Sequence, residues 1–235
     1  MNILKKSRKV VLDIETTGMN KSGCLYLNHK IIEIGILEII DRKYTGKYLH
    51  YYLNPDRDIE KEAYKIHGIS RNQLIKKPRF KEVYLNILNF IKKSKIVVHN
   101  SIFDISFLDY EFSQLNCGIK KIREFSTVID TLVIARQLFP GKKNNLDALC
   151  RRYNIINTRK TVHGALIDAK ILMKLYLYMT SKQITISFTE KKKSRITPPV
   201  MNIHADNRVL KILFASKSEN KKHEKYMKII LKNYI

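Results

Sequence analysis

The sequence predicts an α/β domain followed by a small, strongly basic appendage. Three observations carry that prediction. Residues 10–15, 31–40 and 44–53 are runs rich in β-branched and aromatic residues joined by short connections, the pattern of an antiparallel meander. From residue 80 onward, apolar residues at helical spacing alternate with short β-branched runs, which marks a domain of alternating helix and strand. After residue 179 the chain turns polar and basic, with Lys191, Lys192, Lys193 and then Pro198, Pro199, a linker composition.

Each element has its own local reason. The first strand, VVLDIE at 10–15, stops at Thr16-Thr17-Gly18; the second is IIEIGILEII at 31–40; Asp41-Arg42-Lys43 turns the chain into the third, which ends before Pro55. Val83, Ile87, Phe90 and Ile91 share one helical stripe over 80–91, and residues 95–98 form a short strand ending in His99-Asn100. A helix over about 104–115 carries Phe107, Leu108 and Phe112. A strand near Val128 and helices over 132–139, 146–153 and 165–179 complete the domain. In the appendage, residues 209–214 read as a strand, and Ser218 caps a helix that sets Met227, Ile230, Leu231 and Tyr234 on one stripe. So small an amphipathic unit needs a partner to bury that stripe.

Composition narrows the class further. A net charge of +24 over 235 residues suits a polyanionic partner, nucleic acid before an anionic membrane surface. Enrichment in Lys, Asn and Ile can also reflect nucleotide bias in the encoding genome. Residues 190–235 hold 12 Lys and Arg against 4 acids, about twice the charge density of the rest. The 3 cysteines, Cys24, Cys117 and Cys150, are widely spaced, which disfavours a disulfide framework or a zinc knuckle and fits reduced thiols in the cytoplasm. The basic start resembles that of a signal peptide, but Asp13 and Glu15 interrupt the apolar run behind it, so no export is expected. No apolar stretch is long enough to span a membrane.

Four carboxylates and a histidine carry the chemistry. Strand alternation puts Asp13 and Glu15 on one face, opposite Leu12 and Ile14. Two acids on a half-buried face repel each other unless a cation lies between them, and magnesium or manganese supplies one through hard oxygen ligands. The same pair also fits a surface strand with two solvated acids. Asp104 and Asp168 each fall near a helix start, where an acid also gains from the helix dipole. Taken together, the four can converge at one sheet edge as a two-metal site for phosphoryl chemistry. His163, five positions before Asp168, can take a proton from water at neutral pH, although a lone histidine before a helix also serves as a cap.

The segments VLDIETTG, HNSIFDISFLDYEF and HGALIDA resemble, in order, the three motifs of the DEDDh 3′–5′ exonucleases. HKIIEIG, YLNPDR and FPGKKNNLDALCRRY extend the likeness over about residues 8–180, towards the proofreading branch that serves bacterial replicative DNA polymerases. The resemblance implies a ribonuclease-H-like fold with a mixed five-stranded sheet and a flexible tethering segment behind it. It implies hydrolysis of mispaired 3′-terminal nucleotides to deoxynucleoside monophosphates with two divalent ions, Mg²⁺ or Mn²⁺. Asp13, Glu15, Asp104 and Asp168 would hold the metals and His163 would be the general base. Thr16, Thr17, Glu62 and His67, with Asp13, Glu15 and Asp168, would contact the terminal nucleotide; His67 alone would read as a helix-end cap.

The same resemblance divides the chain into an exonuclease domain (1–180), a clamp-binding motif (181–189), a linker (190–207) and a polymerase-binding tail (208–235). Gln183, Ile186 and Phe188 would dock on the sliding clamp. The tail would tether the alpha subunit of DNA polymerase III, and a small stabilising subunit is a further implied partner. The tail's basic composition leaves direct DNA binding open. An exoribonuclease of the same family, or an idle scaffold between clamp and polymerase, are the alternatives.

Overall fold

The structure is a computed structural model and describes residues 7–115, 118, 121–156, 162–181 and 215–232, with side chains of the last helix to 228. The chain divides into two compact units, Met1–Gln183 and Ile184–Ile235.

The first unit is built on one sheet. Strands β1 (Arg8–Thr16), β2 (Ile31–Ile40) and β3 (Lys43–Tyr52) form the expected antiparallel meander, and β4 (Lys95–Val98) and β5 (Thr127–Asp130) add parallel to β1 and to each other. The order is β3-β2-β1-β4-β5, so β1 is central. Asp41 and Arg42, at φ 48° and 67°, form the tight β2–β3 turn, and Lys43 already belongs to β3. The left-handed pair suits the twist of a two-residue hairpin.

Alternation along β1 decides what packs where. Val10, Leu12 and Ile14 point into a cluster with α3 (Phe80–Ile91) and with Phe107, Leu108 and Phe112 of α4 (Ser101–Ser113). Val11, with Leu37, Ile39 and Val97, faces Ala169, Leu172 and Met173 of α7 (Ala165–Met179). Asp13 and Glu15 continue the Val11 row, so they lie on the face that α7 covers. A third cluster joins α5 (Thr131–Leu138) and α6 (Leu146–Arg152) to α7.

Two local differences from the sequence reading stand out in this unit, and the first has a physical cause. Helix α4 begins at Ser101 rather than near Asp104, because the Asp130 carboxylate accepts the Asn100, Ser101 and Leu132 N–H groups at 3.1, 2.8 and 2.9 Å. A cap supplied from another strand leaves no local signal. Short helices α1 (Lys61–His67) and α2 (Arg71–Leu74) follow β3 where no element was expected.

In the second unit, α8 spans Lys217–Lys232, and its cap is Ser216 rather than Ser218. Ser216 Oγ accepts the Glu219 N–H at 3.3 Å while Glu219 Oε2 accepts the Ser216 N–H at 2.8 Å, a reciprocal capping box. The strand expected at 209–214, the clamp motif and the linker lie outside the described residues. No helix among the described residues is long and apolar enough to cross a membrane.

Candidate active site

The site forms where the ladder around β1 runs out. Pairing with β4 ends at Val11, while pairing with β2 continues and shifts register between Glu15 and Thr16. Beyond Val11 the β4 side of the strand is therefore open, and the Ile14 N–H donates to the buried carboxylate of Asp104.

Helix α7 reaches the acids through a glycine. Gly35 stands opposite Asp13 in the β1–β2 register, and a Cβ there would lie 2.5 Å from Leu166 N and Cα. Only glycine lets the first turn of α7 rest on the sheet this closely. Asp168, the fourth residue of that helix and 2% exposed, is thereby brought beneath β1. The preceding loop is pinned by the His163 N–H, which donates to the Ile66 carbonyl at 3.0 Å.

One ligand atom each from Glu15, His163 and Asp168 lies within 4.8 Å of the others. His163 Nδ1 is 3.1 Å from Asp168 Oδ2. Asp13 and Asp104 stand outside that triangle, Asp13 on the same strand face as Glu15 and Asp104 at the start of α4. Burial pushes the Asp104 carboxyl up to about 8, with its own N–H and that of Ile14 opposing and the Asp130 charge adding to the rise. A carboxyl so placed gains its charged form when a cation enters. The donor set, four carboxylates and one imidazole, fits a hard divalent ion.

A cavity of about 340 Å³ opens beside the triangle, lined by Glu15, Thr16, Glu62, His67, Asn100 and Phe103 among others. His67 is buried, and its Nδ1 accepts the Ile69 N–H at 3.0 Å. That bond leaves the proton on Nε2, which is directed at the Thr16 backbone but meets no partner at full hydrogen-bond geometry among the described residues. Burial holds this imidazole below its ordinary pKa. Glu62 lies on the rim in a 3.3 Å ion pair with Lys21.

Thr17 is the expected contact that the geometry does not bring in. Its N–H donates to the Lys30 carbonyl at 2.9 Å, and its buried hydroxyl accepts the Lys30 N–H at 3.0 Å. The residues that sequence reasoning missed are Gly35, Asp130, Asn100 and Glu33. Glu33 is a buried acid paired in register with Glu15, and an acid inside IIEIG was a visible signal for it.

A mixed sheet of this order, with carboxylates delivered from its central strand and two helix starts, defines a ribonuclease-H-like nuclease. The exonuclease family model (RNase_T) matches residues 10–176. DNA polymerase III subunit epsilon of Buchnera aphidicola subsp. Baizongia pistaciae is 48% identical over 229 residues, 96% of this chain and 93% of that protein. The protein of that name from Escherichia coli K12 is 44% identical over 229 residues, covering 96% and 94%.

Among solved structures, exonuclease X in complex with 5′ overhanging duplex DNA matches with a TM-score of 0.55 at 26% identity, covering 73% of this chain and 90% of that one. The nuclease domain of 3′hExo, a DEDDh family member bound to rAMP, matches with a TM-score of 0.61 at 16% identity, covering 75% and 92%, and so bears on the fold alone. The chain belongs to the exonuclease family, within the branch of the DNA polymerase III epsilon subunits. It is a 3′–5′ proofreading exonuclease of a metal-dependent family.

Proposed function

We propose that this chain removes mispaired 3′-terminal nucleotides from DNA as monophosphates, with Asp13, Glu15, Asp104 and Asp168 holding two divalent ions, Mg²⁺ or Mn²⁺. Bound there, such ions polarise the scissile phosphate and stabilise charge on the attacking and leaving oxygens. His163 takes the proton from the attacking water. Asp168 orients that imidazole through Nδ1, which leaves Nε2 as the accepting atom. Water oxygen bonds to phosphorus as the bond to the preceding nucleotide's 3′ oxygen breaks, and that oxygen leaves with a proton. The terminal nucleotide occupies the cavity beside Glu15, against His67, Glu62 and Thr16. Phosphate contacts there read no base, which suits removal of any terminal nucleotide.

The observation that carries this reading is the meeting of Glu15, His163 and Asp168 within 4.8 Å, with Glu15 also lining that cavity. In the wider assembly, residues 1–180 form the nuclease and 190–207 a linker. Gln183, Ile186 and Phe188 anchor it to the sliding clamp, residues 208–235 tether it to the alpha subunit of DNA polymerase III, and the work is cytoplasmic. Identity of 44% and 48% over nearly the whole chain to proteins named for that polymerase supports the tether. The test is digestion of a 3′-mispaired primer-template with Mg²⁺. Wild type should release monophosphates and Asp13→Ala should not; equal release by the variant would remove Asp13 from the metal set.

A further inference from the structure

We propose that Glu33 is a positioning residue for the reaction: its carboxylate, held from β3, seats Gly164 at the start of α7 and so sets where His163 stands. The proposal rests on the reading of His163 as the general base.

Place is the first observation. Two residues on one face of β2, Glu33 and Gly35, meet the start of α7. Gly35 admits Leu166, and a Cβ at Gly164 would lie 3.8 and 3.9 Å from the two Glu33 oxygens, ordinary van der Waals contact. Gly164 follows His163 directly, and its carbonyl accepts the Asp168 N–H at 2.9 Å. Glu33 also stands opposite Glu15 in the β1–β2 register. Its carboxylate therefore borders all three residues that meet within 4.8 Å without being one of them.

The second is how the carboxylate is held. Glu33 is 2% exposed, and its Oε1 lies 2.7 Å from Nε2 of His50 on β3. The Tyr52 hydroxyl, also from β3, is directed at the same carboxylate. Yet Oε2 meets no partner at full hydrogen-bond geometry among the described residues. The other two buried glutamates use both oxygens: Glu38 accepts from Arg8 and Thr45, and Glu111 from Ile31 and Lys30. A fold that needed only to fill the Glu33 site would be better served by an apolar residue of similar volume.

The third is the helix that Glu33 faces. The N-cap of α7 is Gly164, and no side-chain hydrogen bond closes that end. Its first-turn N–H groups and the helix dipole favour a negative charge there. Glu33 brings from β2 the charge that a glycine cannot carry. The His163 N–H is already tied to the Ile66 carbonyl at 3.0 Å. With Gly164 seated on Glu33, the histidine is fixed on both sides, and its Nδ1 keeps its 3.1 Å approach to Asp168.

The experiment is a double-mutant cycle on the full chain, carrying Glu33→Gln, His163→Ala, both or neither. It reads single-turnover hydrolysis of a single-stranded oligodeoxynucleotide with Mg²⁺. Glu33→Gln keeps the side chain's size and removes its charge. It should slow the wild-type rate about tenfold, the effect of a small misplacement of a reacting group, with oligonucleotide affinity and unfolding midpoint near wild type. In the His163→Ala background it should change the residual rate by less than about twofold, because a residue acting through the histidine then has nothing to position. The NMR signal of the His163 imidazole, assigned by its loss in His163→Ala, should shift in Glu33→Gln, which a purely structural role would not cause. His50→Gln, which loosens the carboxylate from the β3 side, should act in the same direction more weakly, and it carries the same cycle if Glu33→Gln does not fold. A wild-type rate in Glu33→Gln, or equal losses in both backgrounds, overturns the positioning role. His163→Ala at the wild-type rate overturns the general-base reading itself, and the role of Glu33 with it.

Discussion

The two halves of β1 divide the work of the molecule. Val10, Val11 and Leu12 are wholly buried, with β2 on one side of all three, β4 on the other side of Val10 and Val11, and helices over both faces. Asp13, Ile14 and Glu15 keep β2 but lose β4, and there the acids are half-buried and the Ile14 N–H turns to Asp104. The two buried side-chain atoms without a hydrogen-bond partner among the described residues, Glu33 Oε2 and His67 Nε2, also lie at this end. Glu33 stands opposite Glu15, and His67 lines the cavity beside it. A few residues along one strand thus separate the part that holds the sheet from the part that bears its electrostatic cost. The chemistry sits where ladder hydrogen bonds stop, because only there can side chains approach the strand edge.

That division is broken most sharply at the carboxylates. Asp104→Asn should nearly abolish hydrolysis, yet in EDTA its unfolding midpoint should be unchanged or raised, since a buried carboxyl without a cation disfavours the fold. Hydrolysis near the wild-type rate would remove Asp104 from the metal set, and a large drop in the midpoint would make it a structural residue.

Leu12→Ala should give the opposite pattern. Truncating a wholly buried leucine should cost about 2–5 kcal/mol of stability, read by denaturant unfolding, while kcat at a temperature where the variant is folded stays close to wild type. A lost kcat with stability intact would dissolve the contrast between the halves.

Asp130→Asn should act more mildly and with a pH signature. Burial alone would raise this carboxyl, but the donors from Ser101, Leu132 and Asn100 outweigh it and hold its pKa below the usual range. A carboxylate depressed on folding stabilises above its unfolded pKa, and that stability is lost as pH falls through the folded value. The variant should therefore lose about 1–3 kcal/mol at neutral pH and show less acid-induced loss than wild type between pH 5 and 2. Parallel pH–stability curves for the two proteins would count against Asp130 as the tie between β5 and α4.

Legibility followed the same boundary. Strands β2 and β4 and helices α3 and α7 match their expected limits residue for residue, because apolar periodicity is a local signal of burial. Asp13 and Glu15 were readable for the same reason, as acids interrupting a buried alternation. What stayed hidden depends on distant partners. The start of α4 is set by Asp130 from β5, and the seat of α7 by Gly35 on β2. Thr17 looked available because it follows the acidic strand, but Lys30 occupies its N–H across a loop. The cap at Ser216 was legible as Ser-x-x-Glu ending at Glu219, and only the neighbouring Ser218 drew attention from it.

The most direct test of the account measures single-turnover hydrolysis by the purified chain with Mg²⁺ on matched, mismatched and single-stranded 3′ ends of one sequence. Unpairing a terminus costs a few kcal/mol when it is matched and least when it is mismatched. Mispaired and single-stranded ends should therefore be removed faster than the matched end, with the difference narrowing as temperature frays the matched terminus. Equal rates on all three at low temperature would contradict proofreading and leave a general 3′ exonuclease.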